Sequence, residues 1–235
     1  MKRREDDQKD RRDGSRAERR ESDQVIRTYK KSLRRELLGI LNALPPETRR
    51  EGDARILRRV TAMPQYQKAG RIFVFVGSGW EVDTWPLIEE ALADGKTVAV
   101  PRCLPLTRDM RDAGEGGVME ACLIRGRGDL LQRPPLGLWE PAEGMPVLAP
   151  EAVEFALIPC IACDRKGRRL GRGGGYYDRF LAGSGFTKVA LCRQVMLREE
   201  LPSEDFDETV DFIVTEDALF DFTGIAQESQ QSDRS

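Results

Sequence analysis

The fold of this chain is decided by the stretch Ala162-Cys163-Asp164-Arg165-Lys166-Gly167-Arg168-Arg169-Leu170-Gly171-Arg172-Gly173-Gly174-Gly175-Tyr176-Tyr177-Asp178-Arg179-Phe180-Leu181. It sets glycines and arginines between an apolar, strand-like run and an amphipathic, helix-like run. Glycines let the backbone turn its N–H groups towards a ligand, and guanidinium groups match phosphate oxygens in pairs. The start of the following helix adds a partial positive charge. We predict an anion-binding loop; the alternative is a solvated turn that is basic by chance.

The segments around this loop alternate between helical and strand-like patterns. Apolar residues of 25–44 recur near helical spacing, whereas 71–76 is a β-rich run that ends at glycine. The predicted elements are helices over 25–44, 46–62, 84–93 and 176–181 and strands over 71–76, 97–100, 155–159, 188–192 and 212–215. A strand-helix-strand order favours parallel strands. We predict a Rossmann-like α/β fold, a three-layer α/β/α sandwich with a mainly parallel central sheet and ligands at the carboxyl ends of its strands.

The chain has 235 residues, 40% of them hydrophobic, which suffices for one sizeable core. We predict a single α/β domain over 25–221. The preceding segment, 1–24, mixes charges without a hydrophobic period and is predicted to be a disordered charged tail. A polar C-terminal tail is expected over 222–235. Within the domain, 101–150 is rich in proline and glycine, which predicts a loop-rich insertion with a small β element.

The overall charge is close to neutral, with a formal net charge of −2, so nothing attracts the whole chain to nucleic acid or anionic membranes. No apolar run reaches the ~20 residues of a membrane span, and the N-terminus is charged where a signal peptide would be apolar. Five scattered cysteines, an odd number, suit a reducing compartment. We expect a cytoplasmic monomer that binds small molecules and neither nucleic acid nor membrane. Nucleic-acid binding by the 1–24 tail is the alternative.

Histidine is absent from the sequence. This excludes Ser-His-Asp and Cys-His nucleophiles and histidine metal centres, leaving carboxylates, arginine, lysine, tyrosine, backbone amides and a hard metal ion for chemistry. The pair Cys160-x-x-Cys163 has the spacing of half a zinc site or a redox pair. Zinc needs about four ligands and no second such pair exists, while a redox pair normally opens a helix. We therefore expect buried core thiols.

The glycine-rich segment Gly171-Arg172-Gly173-Gly174-Gly175 fits neither standard nucleotide motif. No lysine followed by serine or threonine closes it as a phosphate loop, and Tyr176 occupies the last glycine position of the dinucleotide motif. The whole stretch instead resembles the signature F-D-x-x-G-x-R-L-G-x-G-x-G-Y-Y-D of the 5-formyltetrahydrofolate cyclo-ligase family.

This resemblance extends over most of the chain, from about residue 29 to residue 216. The further matching positions are Lys30-Lys31-Ser32-Leu33-Arg34, Glu81-Val82-Asp83-Thr84, Gly95-Lys96, Pro101, Met119, Gly137, Glu140-Pro141, Pro159, Gln194, Pro202, Asp207 and Asp211. Three positions depart from the family's usual residues. Cys163 stands where phenylalanine is usual, Phe206 where histidine is frequent, and Arg172 where many bacterial members have tyrosine.

The resemblance implies ATP-dependent ring closure of 5-formyltetrahydrofolate to 5,10-methenyltetrahydrofolate, with release of ADP and phosphate. The formyl oxygen is phosphorylated, and the neighbouring folate amine then attacks the formyl carbon. ATP contacts are implied for Lys30, Lys31, Ser32, Leu33, Arg34, Arg169, Leu170, Gly171, Arg172, Gly173, Gly174, Gly175, Tyr176 and Tyr177. Folate contacts are implied for Arg34, Val76, Glu81, Arg172, Gly173, Gly174, Gly175 and Tyr176. Arg172 and Tyr177 would take part in catalysis, and Asp178 and Asp207 are the expected Mg²⁺ ligands.

The charged residues among these, apart from the loop arginines, also fit purely structural roles. Lys30 and Arg34 lie one helical turn apart and fit a solvated face, while Glu81 and Asp178 fit positions that favour a helix N-terminus. Asp207 also fits a turn former. Two other functions stay open: a catalytically silent member that binds folate or nucleotide as an interaction module, and a sugar-phosphate or CoA-ester enzyme. The second gives no reason for the Lys30 and Arg34 pair.

Overall fold

The structure, a computed structural model, describes residues 2–104, 117–133 and 137–224. Its helices are α1 (Lys2–Ala43), α2 (Pro46–Thr61), α3 (Pro64–Lys68), α4 (Trp85–Ala93) and α5 (Tyr176–Leu181). Its strands are β1 (Arg71–Val74), β2 (Thr97–Cys103), β3 (Met119–Ile124), β4 (Leu130–Arg133), β5 (Leu138–Pro141), β6 (Val147–Leu148), β7 (Phe155–Pro159), β8 (Ala162–Asp164), β9 (Arg169–Leu170), β10 (Thr187–Leu191), β11 (Leu197–Arg198), β12 (Phe212–Val214) and β13 (Leu219–Asp221).

The central sheet has eight strands in the order β13-β12-β10-β7-β1-β2-β3-β6. The five strands from β12 to β2 run parallel, and β13, β3 and β6 pair antiparallel at the two edges. The inner strands β1, β7 and β10 are apolar runs whose side chains are mostly buried, as parallel strands covered on both faces must be. The predicted mixed α/β fold with a mainly parallel sheet is confirmed.

Alternate residues of each inner strand face two separate apolar clusters. In β1, Ile72 and Val74 pack with side chains from α2, α3 and α4, whereas Phe73 packs with side chains from α1 and α5. Helices therefore cover both faces of the sheet, which gives the three layers that the strand-helix alternation predicted. This arrangement leaves the carboxyl ends of the parallel strands open.

Two smaller sheets extend the domain. Strands β11, β8 and β9 form one of them, next to the glycine-rich segment, and β4 pairs with β5 as a hairpin. The predicted β element of the 101–150 insertion corresponds to β3, β4, β5 and β6, while its residues 105–116 and 134–136 lie outside the described ranges. Short strands such as β9 and β13 were not predicted, because two or three residues carry no readable period.

Two predictions for the ends of the chain stay predictions. The structure begins α1 at Lys2, within the segment 1–24 that the sequence predicts to be a disordered charged tail. Arginine, glutamate, lysine and glutamine have high helix propensity, so a segment without an apolar period can still continue a helix. The C-terminal tail predicted over 222–235 falls, from residue 225 onward, outside the described residues. Among the described helices, none is long and apolar enough to cross a membrane.

Candidate active site

A cavity of about 1000 Å³ opens at the carboxyl ends of β1, β2 and β7. Three walls enclose it. One is formed by 75–81, after β1, and a second by 101–104 and 138–144 of the insertion. The third is formed by 159–161 and by 169–178 of the glycine-rich stretch. Ligand sites of open parallel sheets lie at this edge. The cavity brings most of the predicted residues together, and residues 169–178 of the glycine-rich stretch form one of its walls.

The glycine-rich wall leaves backbone donors open. Gly173 and Gly175 have φ angles of +93° and +63°, a backbone conformation that side chains rarely adopt. Within the described part of the chain, the amide N–H groups of residues 172–175 meet no hydrogen-bond acceptor. Arg179 holds the loop from outside by donating to the carbonyls of Gly117, at 2.9 Å, and Gly174, at 3.0 Å. The loop is thus a fixed set of unused donors, as an anion-binding nest requires.

Arg169 is the most buried cation of this wall, with 3% of its side chain exposed. Its Nη2 donates to Asp178 Oδ1 at 2.7 Å, and its guanidinium lies 5.7 Å from the centre of the Tyr177 ring. Its Nε is buried without a partner among the described residues. A buried donor without an acceptor is costly, so an acceptor from a ligand would remove that cost.

Helix α1 supports the loop through one of its faces. Arg34 Nε donates to the Gly171 carbonyl at 2.8 Å, and its guanidinium carbon lies 3.1 Å from the point where a side chain on Gly173 would begin. Burial lowers the pKa of Arg34. One turn earlier, buried Lys30 donates to Glu204 Oε2 at 2.8 Å and to Asp207 Oδ2 at 2.5 Å. Both residues therefore lie on the buried face of α1 rather than on a solvated one.

The structure does not bring every predicted ATP contact to the cavity. Lys31 and Ser32 are exposed, and Ser32 Oγ only donates to the carbonyl of Tyr29. Leu33 and Leu170 pack in the apolar core that α1 shares with the sheet. Consecutive helical residues point about 100° apart, so a run of five cannot face one ligand. Among residues 30–34, Lys30 and Arg34 are the polar groups on the side of the loop, and both lie behind it, outside the cavity lining.

Glu81 lies in the loop after β1 and is in direct contact with Arg172 of the glycine-rich wall. Its carboxylate accepts from Ser78 N at 3.1 Å and from Arg172 Nε at 3.2 Å, and only 7% of the side chain is exposed. Arg172 also stacks on Trp80, 4.8 Å from the ring centre. A side chain on Gly77 would begin 1.9 Å from the Val82 carbonyl oxygen, so this tight loop requires glycine there.

Tyr176 and Tyr177 both line the cavity. The Tyr176 hydroxyl donates to the Leu104 carbonyl at 3.4 Å, and its ring fills the space that a side chain on Gly117 would need. Tyr177 also packs edge-on against Phe73, with ring centres 6.4 Å apart. Burial raises the pKa of Tyr177 well above its usual value, so its hydroxyl stays protonated.

The wall formed by the insertion was missed by the sequence analysis. Arg102 donates to Glu120 Oε2 from Nε at 3.0 Å and from Nη2 at 2.6 Å, and Trp139 and Glu140 lie beside this pair. Burial, with a contribution from Glu140, raises the pKa of Cys103 to about 11. A signal did exist, since residues directly after a parallel strand meet at the ligand edge of the sheet.

The two predicted metal ligands are both engaged in ion pairs. Asp178 Oδ1 accepts from Arg169, and Asp207 Oδ2 accepts from Lys30 and, at 2.8 Å, from Glu204 N. The other carboxylate oxygen of each has no hydrogen-bond partner in the described ranges. Only Asp178 lines the cavity. Neither belongs to a group of three or more described metal-ligating side chains.

The fold and this cavity define an α/β protein with a ligand site, basic on one wall, at the carboxyl edge of its sheet. The model of the 5-formyltetrahydrofolate cyclo-ligase family matches residues 26–216. The chain belongs to this family, and the resemblance found in the sequence is confirmed.

Individual relatives agree with this assignment. The 5-formyltetrahydrofolate cyclo-ligase of Mus musculus is 28% identical over 204 residues, which cover 83% of this chain and 97% of the relative. The Escherichia coli K12 protein of the same name is 29% identical over 184 residues, covering 77% and 96%. The structure of Aquifex aeolicus 5,10-methenyltetrahydrofolate synthetase superposes with a TM-score of 0.70 at 28% identity, covering 83% of this chain and 93% of that one.

Proposed function

We propose that this chain converts 5-formyltetrahydrofolate to 5,10-methenyltetrahydrofolate with hydrolysis of ATP to ADP and phosphate. The observation that carries the proposal is the pairing of two unlike walls in one cavity. The glycine-rich wall offers unused amide donors and the buried Arg169, whereas the facing wall offers aromatic side chains and the carboxylate of Glu81. Family membership supplies the chemistry that connects a phosphate to a folate.

The glycine-rich wall is suited to the phosphates of ATP. Transfer of the γ-phosphoryl group depends mainly on positioning and on neutralising charge, and neither task needs histidine. Amide N–H groups of 172–175 and the guanidinium groups of Arg34, Arg169 and Arg172 would bind the phosphate oxygens. Behind them, Lys30 would hold the segment 204–207 in place. The formyl oxygen then gains the phosphoryl group as ADP leaves.

The facing wall is suited to the folate. The ring N–H and amino groups of a pterin are donors, and the Glu81 carboxylate is an acceptor held in place by Ser78. Val76 and Trp80 provide flat or apolar contacts on this wall, and Tyr176 adds one from the glycine-rich wall. The neighbouring folate amine attacks the phosphorylated formyl carbon, the carbon–oxygen bond breaks and phosphate departs. Arg172 contacts Glu81 from the glycine-rich wall and would neutralise the departing phosphate, while the protonated Tyr177 hydroxyl would donate to it.

Asp178 and Asp207 fit Mg²⁺ as a partial ligand set. Each keeps one oxygen free of described partners, and Mg²⁺ commonly takes one or two carboxylates together with phosphate oxygens and water. Bound there, Mg²⁺ would neutralise phosphate charge. We expect Asp178→Asn to raise the Mg²⁺ concentration needed for half-maximal rate, and Asp207→Asn to do so less because it lies outside the cavity lining. An unchanged Mg²⁺ requirement in both would remove these residues from the role.

We further propose that the protein works as a cytoplasmic monomer on these two small molecules. Five cysteines that are free in the structure support a reducing compartment. Size-exclusion chromatography with light scattering tests the monomer, and a dimeric mass would contradict it.

The direct test is to incubate the purified chain with 5-formyltetrahydrofolate, Mg²⁺ and ATP and to follow the absorbance of the methenyl product. We expect product only when ATP is present, with equal amounts of ADP. Folate binding without any ATP-dependent product would instead identify a catalytically silent member. The variant Arg165→Ala, which changes an exposed arginine of the same stretch, is the matched control and should keep the full rate.

A further inference from the structure

Three cysteines meet beneath the cavity, although one of them, Cys192, is distant in sequence from the other two. Cys160 follows β7 and Cys192 follows β10, so both lie at the carboxyl edge of neighbouring parallel strands, and Cys163 lies in β8. Their sulfur atoms lie within 4.8 Å of one another, and all three residues are buried. They are the only group of three or more metal-ligating side chains among the described residues.

The thiols are packed against each other and against backbone carbonyls. Cys163 Sγ lies 3.3 Å from Cys160 Sγ, Cys160 Sγ lies 3.2 Å from the Leu191 carbonyl, and Cys192 Sγ lies 3.4 Å from the Arg193 carbonyl. All three are free thiols. The C-x-x-C pair that seemed to lack further ligands therefore gains a third sulfur from the next strand of the sheet.

We propose that Cys160, Cys163 and Cys192 form a three-thiolate site for a soft, closed-shell metal ion, with Cu(I) as the best match. A metal–sulfur bond is about 2.3 Å long, so three sulfurs around one ion are roughly 4 Å apart. The observed cluster needs shifts of well under 1 Å to reach this spacing. Thiolates select soft ions, and a closed zinc site needs a fourth ligand that no described histidine, cysteine, aspartate or glutamate provides.

The surroundings supply an entry path and a compensating charge. Cys160 lines the cavity, so an ion can reach the cluster from solvent through it. Binding by three thiolates releases three thiol protons to solvent and leaves a net negative complex. Contact with Cys192 and burial raise the pKa of the Cys160 thiol well above its usual value, and the buried Arg169 guanidinium, which lines the same cavity, offsets part of that rise. Two of the three ligands, Cys163 and Cys192, lie outside the cavity lining and have no part in the proposed reaction.

The test titrates the reduced, full-length protein against a coloured Cu(I) chelator. We expect uptake of one Cu(I) per chain by the wild type, its loss in Cys163→Ala and Cys192→Ala, and its retention in Cys122→Ala. Cys122 is the matched control because it is a fully buried, free cysteine outside the cluster. A parallel titration with Zn(II) should show weaker binding. Absence of uptake by folded wild type, or equal loss in Cys122→Ala, would overturn the proposal.

A second measurement needs no variant and so is independent of folding defects. Native wild-type protein is alkylated with and without Cu(I), and the modified cysteines are identified by mass spectrometry. Cys160 and Cys103 both line the cavity, but only Cys160 belongs to the cluster. Cu(I) should slow alkylation of Cys160 severalfold and leave Cys103 unchanged; equal rates at Cys160 with and without Cu(I) would contradict the site. Neither measurement depends on ring-closing activity.

Discussion

The two halves of the stretch that decides the fold use their polar groups in opposite ways. In 164–168, the carboxylate of Asp164 is fully buried and accepts from the N–H groups of Lys166, Arg168 and Leu201 and from the Arg168 guanidinium, at 2.9 to 3.0 Å. In 169–178, by contrast, the amides of 172–175 and Arg169 Nε have no described acceptor. The Asp164 carboxylate of the first half therefore has all its hydrogen-bond partners within the protein and stabilises the turn. The donors of the second half remain available to a ligand.

The largest expected effect is on stability and comes from removing the buried carboxylate of the first half, 164–168. Asp164→Ala removes the acceptor of three backbone N–H groups and leaves the Arg168 guanidinium without its buried partner. We expect a loss of about 4 kcal/mol in the free energy of unfolding, measured with urea. Activity per folded molecule should be retained, because Asp164 does not line the cavity. A stable Asp164→Ala protein would contradict the structural role of this half.

A change in the second half, 169–178, should affect the reaction rate more than the stability. Arg169→Ala removes a guanidinium from a dry phosphate site, and we expect kcat/KM for ATP to fall by about 10²–10³-fold. Steady-state kinetics at saturating folate measure this, and thermal melting checks that the variant folds. Arg165→Ala changes an exposed neighbour whose ion pair is with the exposed Glu199, and it should stay near the wild-type rate. Equal rates for both variants would remove Arg169 from the phosphate site.

A change in the facing wall should affect the binding of folate, in contrast to both halves of the glycine-rich stretch. Glu81→Gln keeps the shape of the side chain but loses the charged acceptor, and we expect kcat/KM for 5-formyltetrahydrofolate to fall by roughly tenfold to a hundredfold. The exposed Glu90→Gln on α4 is the control for a lost carboxylate. If Glu81→Gln lowered kcat/KM only for ATP, the folate would lie elsewhere in the cavity.

The smallest expected effect separates backbone strain from ligand binding. Gly173→Ala and Gly183→Ala each place a side chain at positive φ, so each should cost about 1 kcal/mol of stability. Only Gly173 lies against the guanidinium of Arg34, whereas a side chain on Gly183 meets open space. We therefore expect about a tenfold loss of kcat/KM for ATP in Gly173→Ala alone. Similar activity losses in both would attribute the effect to strain.

The sequence predicted the fold and the wall that carries its signature, because both depend on local patterns. Buried apolar runs such as 155–159 predict parallel strands, and glycines with arginines predict an anion loop. Contacts between distant segments carried no such pattern. Arg102 meets Glu120 because they are cross-strand partners of the antiparallel strands β2 and β3, and Cys192 lies beside Cys160 because the neighbouring strands β7 and β10 end together.

Helix α1 also has features that the sequence could not predict. The motif around Lys30 and Arg34 was found from the family resemblance, but only helical geometry separates these two residues from exposed Lys31 and Ser32. The extension of α1 to Lys2 was not predicted, because a charged segment without an apolar period fits a helix and a disordered tail equally well.

The central claim, that one wall of the cavity binds nucleotide and the other folate, is tested most directly by separate calorimetric titrations. A non-hydrolysable ATP analogue and 5-formyltetrahydrofolate are each titrated into the wild type, Arg169→Ala and Glu81→Gln. We predict that Arg169→Ala loses affinity for the nucleotide and keeps it for the folate, and that Glu81→Gln shows the reverse. If both variants lose affinity for both ligands to the same extent, the division of the cavity into two walls is wrong.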